Sequence, residues 1–356
     1  MGTDRWNLPF GSERRTLRAL DRADKLTERG QAGEAVQLLT AANRKHRDRR
    51  IDRRLTRLRY EAAMAHDWPT SSPPLPDKAD DRFPDELVPE IHRDQLDADA
   101  VRSAIDNHGS LLVRQFLDPA DAKTLVSDID ATFDSFDAAA AGVEPEADGW
   151  YEPFDHPLIE HRQKKRGNGN ILAVESPPAL FDLIEVLRGA GMQHLAADYL
   201  GEEPMLLARK VTLRRLPHAK GGGWHQDGAF MGEHIRSLNV WIALNPCGED
   251  SPGLDIVGKR LDGIVPTGTK GSRFAWSVSP DVAEGTGEDA IVSPLFETGD
   301  AMIFDHLCLH KTGTRPGMTV DRYAIECWFF APSTYQSMLS SAETDSRVYD
   351  QVPLVL

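Results

Sequence analysis

Residues 221–232 read GGGWHQDGAFMG and place an imidazole and a carboxylate two positions apart. If this stretch ends a β-strand, His225 and Asp227 project from one face, because side chains two apart on a strand share a side. The glycines let the backbone bend there at little steric cost. One nitrogen and one oxygen aimed at a common point suit a metal such as Fe(II), which then needs a third ligand. The alternative is a structural hydrogen bond between the two side chains.

The third ligand is predicted within residues 299–330, GDAMIFDHLCLHKTGTRPGMTVDRYAIECWFF. Two histidines, His306 and His310, occur there, and they face the same way if a single strand runs through both. His310 ends the apolar run and precedes a Gly/Pro-rich turn, which predicts a strand end at a barrel mouth. We therefore prefer His310 to His306 as the ligand.

Short apolar segments separated by turn residues dominate the chain from residue 205 onward, which predicts strands. The predicted strand segments are 205–216, 224–227, 237–246, 253–257, 290–296, 300–310 and 322–331. Upstream, residues 96–136 predict a helix, a short strand and a second helix that begins at Asp118-Pro119. Residues 150–176 predict irregular structure, and residues 259–289 predict a long loop over a barrel mouth. The pattern indicates an α+β fold built on a barrel or sandwich.

The segments WHQDGAF and LNVWIALNP, followed by GD, IFDHLCLHKTG and RYAIECWF, resemble the phytanoyl-CoA dioxygenase (PhyH) family of Fe(II)- and 2-oxoglutarate-dependent oxygenases. The resemblance covers roughly residues 85–335. It implies a double-stranded β-helix, a jelly-roll or cupin-like barrel, flanked by helices. It also implies that His225, Asp227 and His310 are both the catalytic centre and the iron ligands.

A 2-oxoglutarate site is implied by the same resemblance. Arg322, twelve residues after His310, matches the family's arginine for the distal carboxylate, and a planar guanidinium suits that bidentate contact. Arg315 is the alternative, but its Gly/Pro turn predicts a solvated side chain. Thr312 stands where the family often has a serine that holds the same carboxylate. Trp241 matches an aromatic residue of the cosubstrate pocket, or else belongs to the ordinary core.

The implied reaction consumes 2-oxoglutarate and O2, releases succinate and CO2, and hydroxylates a small or carrier-bound organic substrate. Related halogenases have a small residue in place of the carboxylate ligand, so Asp227 favours hydroxylation. Desaturation, cyclisation or epimerisation at the same site is one alternative, and a non-catalytic binding or scaffold protein is another. Residues 251–263, SPGLDIVGKRLDG, depart from the family's G-x-L-x-V-x-P-G-S-H pattern, so no substrate is inherited from the resemblance. Loops 228–236 and 259–289 are predicted to shape the substrate pocket.

Charge is distributed unevenly over the 356 residues, whose net charge is −15. Residues 1–66 carry 16 Lys/Arg against 9 Asp/Glu, a net charge of +7, and the remainder carries −22. The acidic body argues against nucleic acid as a ligand. The sequence also lacks a signal sequence and any apolar run near the roughly 20 residues of a membrane span, which predicts a cytoplasmic protein. The three cysteines fit neither a disulfide framework nor a zinc site and are predicted to be buried.

Four regions are predicted along the chain. Residues 1–66 form a basic helical hairpin in which ERGQAGEAVQLLTAA, with Gly30 in the turn, resembles one tetratricopeptide unit. A single such unit cannot bury its apolar face by itself. It therefore packs either on a partner protein or on the acidic remainder of the same chain, and we favour the second. Residues 67–89 form a Pro-rich linker, residues 90–340 the dioxygenase domain, and residues 341–356 a C-terminal tail.

Overall fold

The computed structural model describes residues 10–69, 71, 73–74, 76–143, 149–156, 159, 161–334 and 352–356. The α-helices are α1 (Phe10–Thr27), α2 (Ala32–Lys45), α3 (Arg49–Met64), α4 (Ala98–His108), α5 (Pro119–Ala140), α6 (Arg162–Gly167), α7 (Pro177–Gly189), α8 (Met192–Leu200), α9 (Gly228–Met231) and α10 (Pro280–Gly287). The strands are β1 (Glu90–His92), β2 (Ser110–Arg114), β3 (Asn170–Leu172), β4 (Met205–Leu207), β5 (Thr212–Leu216), β6 (Ser237–Ala243), β7 (Gly253–Val257), β8 (Ile291–Val292), β9 (Ala301–Phe304), β10 (His310–Gly313), β11 (Arg322–Phe330) and β12 (Pro353–Leu354). The prediction of a mixed α+β fold is confirmed.

The larger of two sheets runs in the order β1-β2-β9-β6-β11-β4-β12 among the described residues, and β5 joins it by pairing with β11. Both faces of this sheet are buried. On β6, Val240 and Ile242 face a core shared with helices α4, α5, α7 and α8. Trp241 and Ala243 face the opposite way, into a second core that includes Leu254 of β7. The alternation along one strand therefore separates a helix-facing layer from a layer between the sheets.

The smaller sheet runs β10-β7-β8, with antiparallel pairing throughout. Residues before α9 extend it through two isolated bridges, in which Trp224 pairs with Val278 and His225 pairs with His310. His225 and His310 therefore lie on the smaller sheet and Asp227 in the turn just beyond it, and all three side chains point toward the space between the two sheets. Strand predictions at 237–246, 253–257 and 322–331 are confirmed, as is the start of α5 at Pro119 after Asp118.

Four strand predictions are wrong in whole or in part. Residues 205–216 form two strands, β4 and β5, with a turn between them, and only residues 291–292 of the segment 290–296 form a strand. Residues 300–310 do not form one strand, because β9 ends at Phe304, a turn follows, and β10 begins at His310. Residues 224–227 do not form a strand through Asp227, because the backbone of Asp227 is helical at φ −66° and ψ −25° and precedes α9. Near Asp227 and after Phe304, backbone hydrogen bonds impose turns that the local sequence does not signal.

The N-terminal region is not a hairpin, since three helices follow one another between Phe10 and Met64. The prediction of a hairpin missed the break before α3, where Asp48 is extended and its carboxylate accepts a hydrogen bond from the Arg50 backbone N–H. The turn at Gly30, with φ +76°, is confirmed. These helices pack on the main body: Phe181 of α7 enters their apolar core, and Arg44 pairs with Glu185 at 2.6 Å.

Two segments outside the main helices pack on the body of the chain, one before β1 and one at its C-terminal end. The described residues of 67–89 have little regular structure, and the Arg82 backbone N–H donates to Ser103 Oγ of α4. At the other end of the chain, β12 pairs with β4, and Arg59 Nη1 of α3 donates to the Val355 carbonyl at 3.0 Å. Residues 341–351 of the predicted tail and residues 1–9 of the predicted hairpin lie outside the described residues.

Residues 150–176 contain α6 and β3, so the prediction of irregular structure there is wrong in part. Both elements are too short to show a period in the sequence. The three cysteines, Cys247, Cys308 and Cys327, are unpaired and buried as predicted. Within the described part of the chain, none of the helices combines the length and apolar character needed to span a membrane.

Candidate metal centre

Three side chains converge between the two sheets. The ligand atoms of His225, Asp227 and His310 all lie within 4.8 Å of one another. The two imidazole centroids are 4.4 Å apart, and His310 Nε2 is 3.9 Å from Asp227 Oδ2. Asp227 and His310 are buried, and His225 is half-buried. The spacing and donor set suit one metal ion with two nitrogen ligands and one oxygen ligand.

Backbone pairing brings the two histidines together. His225 N–H donates to His310 C=O at 2.9 Å, and His310 N–H donates to His225 C=O at 3.0 Å. Asp227 reaches the same point through a turn rather than along a strand. Gly228 N–H donates to the His306 carbonyl at 2.9 Å, and a Cβ at Gly228 would lie 2.8 Å from Ile264 Cδ1. A side chain at position 228 would therefore press on Ile264 and His306 beside Asp227 and make this turn tighter than it is.

Hydrogen bonds fix the tautomer of each imidazole. Nδ1 of His225 donates to the Gly223 carbonyl at 2.9 Å, and Nδ1 of His310 donates to the Cys308 carbonyl at 3.1 Å. With Nδ1 as the donor, the lone pair of Nε2 is available to a metal. Burial, reinforced by the neighbouring His310, lowers the pKa of His225 to about 4, so this imidazole is neutral near pH 7.

The environment of Asp227 shows whether these three residues can hold a cation. Its Oδ2 atom is buried and has no hydrogen-bond partner among the described residues. A buried carboxylate oxygen without a partner is costly, and a cation beside it would offset that cost. The other oxygen, Oδ1, lies 3.6 Å from Lys210 Nζ. The open side of Asp227 therefore faces the two imidazoles, as a metal ligand would.

His306 lies outside this cluster. Its Nε2 atom donates to the Glu233 carbonyl at 2.8 Å, from the turn that follows β9. Between the two candidate histidines, the described structure places His310 beside His225 and Asp227 and directs His306 toward the backbone of residues 232–235.

Arg322 begins β11 and is completely buried. Its Nη1 donates to the Gly253 carbonyl at 3.0 Å, and its Nη2 lies at the longer distance of 3.5 Å from Thr312 Oγ1. Nε has no hydrogen-bond partner, and no described carboxylate forms an ion pair with this guanidinium. Burial, with repulsion from Arg214, lowers its pKa to about 9. A buried cation without an anionic partner is the environment expected of an anion-binding side chain.

Trp241 and Thr312 flank Arg322. The Arg322 guanidinium carbon lies 5.5 Å from the centroid of the Trp241 ring, and the indole Nε1 is buried without a hydrogen-bond partner in the described structure. Arg315, the alternative to Arg322, is elsewhere: it is half-exposed, and its Nη2 donates to Asp255 Oδ1 at 3.0 Å. Of the two arginines, only Arg322 lies in the interior with the candidate ligands.

A cavity of about 200 Å³ contains the three candidate ligands, Thr312 and Trp241. Its remaining lining residues are Lys165, Asn170, Leu172, Arg209, Lys210, Thr212, Arg214, Phe230, Leu254, Trp276, Phe304 and Glu326. The polar ones among these were not predicted. A signal for some exists in the sequence, since Lys210, Thr212 and Arg214 alternate along one face of β5 and the residues before it.

Glu326 is the second acid of this cavity, and it is already paired. Its Oε2 lies 3.2 Å from Arg214 Nη1, and its Oε1 accepts a hydrogen bond from Trp328 Nε1 at 3.2 Å. Burial alone would raise its pKa, but Arg214 and Lys210 outweigh burial and hold the pKa of Glu326 at about 2. This carboxylate is therefore ionised at all working pH values.

Two aromatic rings close the cavity beside His225. The centroid of the Phe230 ring lies 6.2 Å from that of His225, and the centroid of Trp276 lies 5.7 Å from it. Trp276 belongs to residues 259–289, predicted to cover the mouth. Gln226 ties this segment to the candidate ligands, because its Oε1 accepts from Val265 N–H at 2.8 Å while its Nε2 donates to the Leu307 carbonyl at 2.7 Å.

Comparison with family models matches residues 105–316 to phytanoyl-CoA dioxygenase (PhyH). Among solved structures, the chain is similar to AviO1 from Streptomyces viridochromogenes Tue57, with 18% identity, 67% of this chain and 97% of that chain covered, and a TM-score of 0.43. It is also similar to EvdO2 from Micromonospora carbonacea var. aurantiaca, solved in complex with 2-oxoglutarate, with 17% identity, 65% and 90% coverage, and a TM-score of 0.43. Comparison with curated proteins gives no match.

Proposed function

The chain belongs to the phytanoyl-CoA dioxygenase family of Fe(II)- and 2-oxoglutarate-dependent oxygenases, and from this premise we propose that it hydroxylates a small or carrier-bound organic substrate. The observation that carries the proposal is the convergence of His225, Asp227 and His310 within 4.8 Å in a buried cavity. Two imidazole nitrogens and one carboxylate oxygen leave further coordination positions of Fe(II) for 2-oxoglutarate and O2.

We propose that the two sheets form a double-stranded β-helix. The central strands of the large sheet run β9-β6-β11-β5, and the small sheet runs β10-β7-β8 with the bridge between His225 and His310 beside it. This arrangement supports a barrel whose interior contains the candidate ligands. Strand ends at one mouth then supply the site, while the rest of the barrel keeps those strands rigid.

Each side chain of the site has a defined task in this proposal. His225, Asp227 and His310 would hold the iron, with Nδ1–H donated to backbone carbonyls so that Nε2 is the ligand atom. Arg322 and Thr312 would bind the distal carboxylate of 2-oxoglutarate, and that anion would balance the buried guanidinium. Trp241 would line the same pocket. When bound, iron and 2-oxoglutarate supply the oxidising chemistry, in which O2 is consumed and succinate, CO2 and hydroxylated substrate are formed.

The aromatic rings of Phe230 and Trp276 restrict access to the metal ligands. They cover one side of His225 with apolar surface, which excludes water from that side and orients a substrate by contact. Asp227 supports hydroxylation over halogenation, because it retains the carboxylate that the related halogenases lack.

Turnover of 2-oxoglutarate tests this proposal. The protein, incubated with Fe(II), 2-oxoglutarate, O2 and a panel of small organic compounds, is expected to form succinate, and a compound that is a substrate should gain the mass of one oxygen atom. His310→Ala should abolish succinate formation, and His306→Ala should retain it. A product that has instead lost two hydrogens would assign the site to desaturation or ring closure. No succinate from folded, iron-loaded protein would contradict an oxygenase function and favour a binding or scaffold protein.

A further inference from the structure

Cations line the candidate cavity in a protein whose net charge is −15. Four basic side chains contribute to its wall, namely Lys165, Arg209, Lys210 and Arg214. In the described part of the chain, the acids of the same wall are Asp227 and Glu326. The overall composition of this acidic molecule does not explain why the cavity is lined with basic side chains, so their position indicates a role in the site.

Among the described residues, the acids of the cavity leave at least Lys165 without a partner. Glu326 is paired with Arg214, whose Nε also donates to Asn170 Oδ1 at 2.8 Å. Lys210 Nζ lies 3.6 Å from Asp227 Oδ1 and 3.6 Å from the centroid of the Phe230 ring. Lys165 on α6 is half-buried, and its ammonium group has neither a hydrogen bond nor an ion pair with any described residue.

Loading the site with iron and 2-oxoglutarate would leave this excess unbalanced. The two charges of Fe(II), together with that of Arg322, equal the charges of Asp227 and the two carboxylates of 2-oxoglutarate. Arg209 has a further interaction of its own, so Lys165 and Lys210 remain as positive charges on the wall of the cavity. Burial, with repulsion from Arg209 and Lys210, lowers the pKa of Lys165 to about 8. A nearby anion would stabilise the protonated ammonium group and so raise this pKa.

We propose that the substrate carries a carboxylate or phosphate group that Lys165 and Lys210 bind inside the cavity. This inference rests on the proposed function and makes the substrate a small anion rather than a carrier-bound one. The anionic group lies within the cavity of about 200 Å³, where a distant carrier would not place it. Phe230 and Trp276 provide an apolar wall nearby, with ring centroids 5.1 Å apart. The anionic group thus binds to the lysines, and the remaining carbon skeleton contacts the rings beside His225.

The test compares three probes that differ only in their polar group: butyrate, monobutyl phosphate and 1-butanol. Each is titrated calorimetrically into anaerobic protein that holds Fe(II) and saturating 2-oxoglutarate, so that the Arg322 site is already filled. At least one of the two anions should bind about tenfold more tightly than the alcohol, as expected for a charge-assisted contact. Whichever anion binds more tightly identifies the substrate as a carboxylate or a phosphate ester.

Variants of neighbouring lysines provide the control. Lys165→Met should weaken binding of the preferred anion by about tenfold and leave binding of 1-butanol unchanged. Lys164→Met removes an adjacent, exposed lysine of the same helix and should leave both unchanged. Equal binding of anion and alcohol, or equal effects of the two substitutions, would overturn the proposal.

The visible absorption of the Fe(II)–2-oxoglutarate complex distinguishes failure of the anionic-substrate proposal from failure of the oxygenase function. If the unmodified protein gives this absorption but shows no preference for anions, the proposed anionic substrate is wrong and the oxygenase function stands. If Lys165→Met loses the absorption or weakens binding of 2-oxoglutarate itself, Lys165 belongs to the cosubstrate site, which also overturns the proposal. Absence of the absorption in the unmodified protein contradicts the oxygenase function instead.

Discussion

Both candidate histidine ligands are oriented by the carbonyl group two residues before them. Nδ1 of His225 bonds to Gly223, and Nδ1 of His310 bonds to Cys308. Backbone atoms therefore set both tautomers, and no neighbouring side chain is required for this. Asp227 differs, because its Oδ2 atom has no partner in the described structure and would depend on the metal itself. We therefore expect its orientation to be the most sensitive of the three to loss of metal.

Replacing Arg322 by methionine tests the carboxylate site. Because Arg322 is a buried guanidinium without an ion pair to any described acid, Arg322→Met should weaken 2-oxoglutarate binding by about 100-fold, the loss expected for a bidentate charged contact. The free energy of unfolding should not fall, since an unpaired buried charge is removed. Calorimetric titration of 2-oxoglutarate into iron-loaded protein measures the first effect, and urea unfolding the second.

Arg315→Met is the matched control, because Arg315 pairs with Asp255 at 3.0 Å outside the cavity. It should leave the affinity for 2-oxoglutarate unchanged. A larger loss of affinity from Arg315→Met than from Arg322→Met would assign the carboxylate site to the other arginine.

Elements of the fold were predictable from the sequence to different degrees. Strands such as β6 and β11 are long and apolar, so their positions follow from composition alone. The convergence of His225 and Asp227 was expected from strand geometry, but a turn closed by Gly228 produces it. Such a turn depends on a hydrogen bond to His306, far along the chain, and no local pattern signals it. Lys165 was missed for a related reason, since α6 spans only six residues and shows no period.

Helix α5, which packs on α7, contains a buried acid, Asp128, that makes stability depend on pH. Burial, with repulsion from Asp182, raises the pKa of Asp128 to about 7, and its Oδ2 has no hydrogen-bond partner among the described residues. Because the folded state holds the proton more tightly than the unfolded state does, this group stabilises the fold at low pH. The contribution is lost as pH rises through 7.

Asp128→Asn should therefore remove part of that pH dependence. Between pH 5.5 and 8 the unmodified protein should lose about 2 kcal/mol more unfolding free energy than the variant does. Urea unfolding at the two pH values measures this difference. Parallel losses in the two proteins would show that Asp128 is ionised in the fold throughout this range.

At the scale of the whole molecule, the basic N-terminal helices complement an acidic body. Arg44 pairs with Glu185, Arg47 pairs with Asp182 at 2.6 Å, and Arg59 binds the Val355 carbonyl near the other end of the chain. The sequence predicted the charge asymmetry and favoured packing of these helices on the body of the chain. It could not predict which surface they cover, because the contacts join residues more than 130 positions apart and leave no local pattern. The family match, residues 105–316, excludes these helices entirely.

Phe181→Ala tests whether the N-terminal helices and the body unfold together. Phe181 projects from α7 into the apolar core of these helices, and the Arg47 guanidinium lies 4.2 Å from its ring centroid. We expect one unfolding transition in the unmodified protein and a loss of about 3 kcal/mol in the variant. Urea denaturation followed by far-ultraviolet circular dichroism measures both. Two separate transitions in the unmodified protein would show that the helices unfold independently of the body.

The most direct measurement of the central claim is the visible spectrum of metal-free protein as Fe(II) and then 2-oxoglutarate are added without oxygen. A charge-transfer band should appear in the unmodified protein and in His306→Ala, and it should be absent from His310→Ala and strongly weakened in Arg322→Met. That pattern would establish His310 as a metal ligand and Arg322 as the cosubstrate contact. Absence of the band from folded, unmodified protein, or its survival in His310→Ala, would contradict the proposed iron site.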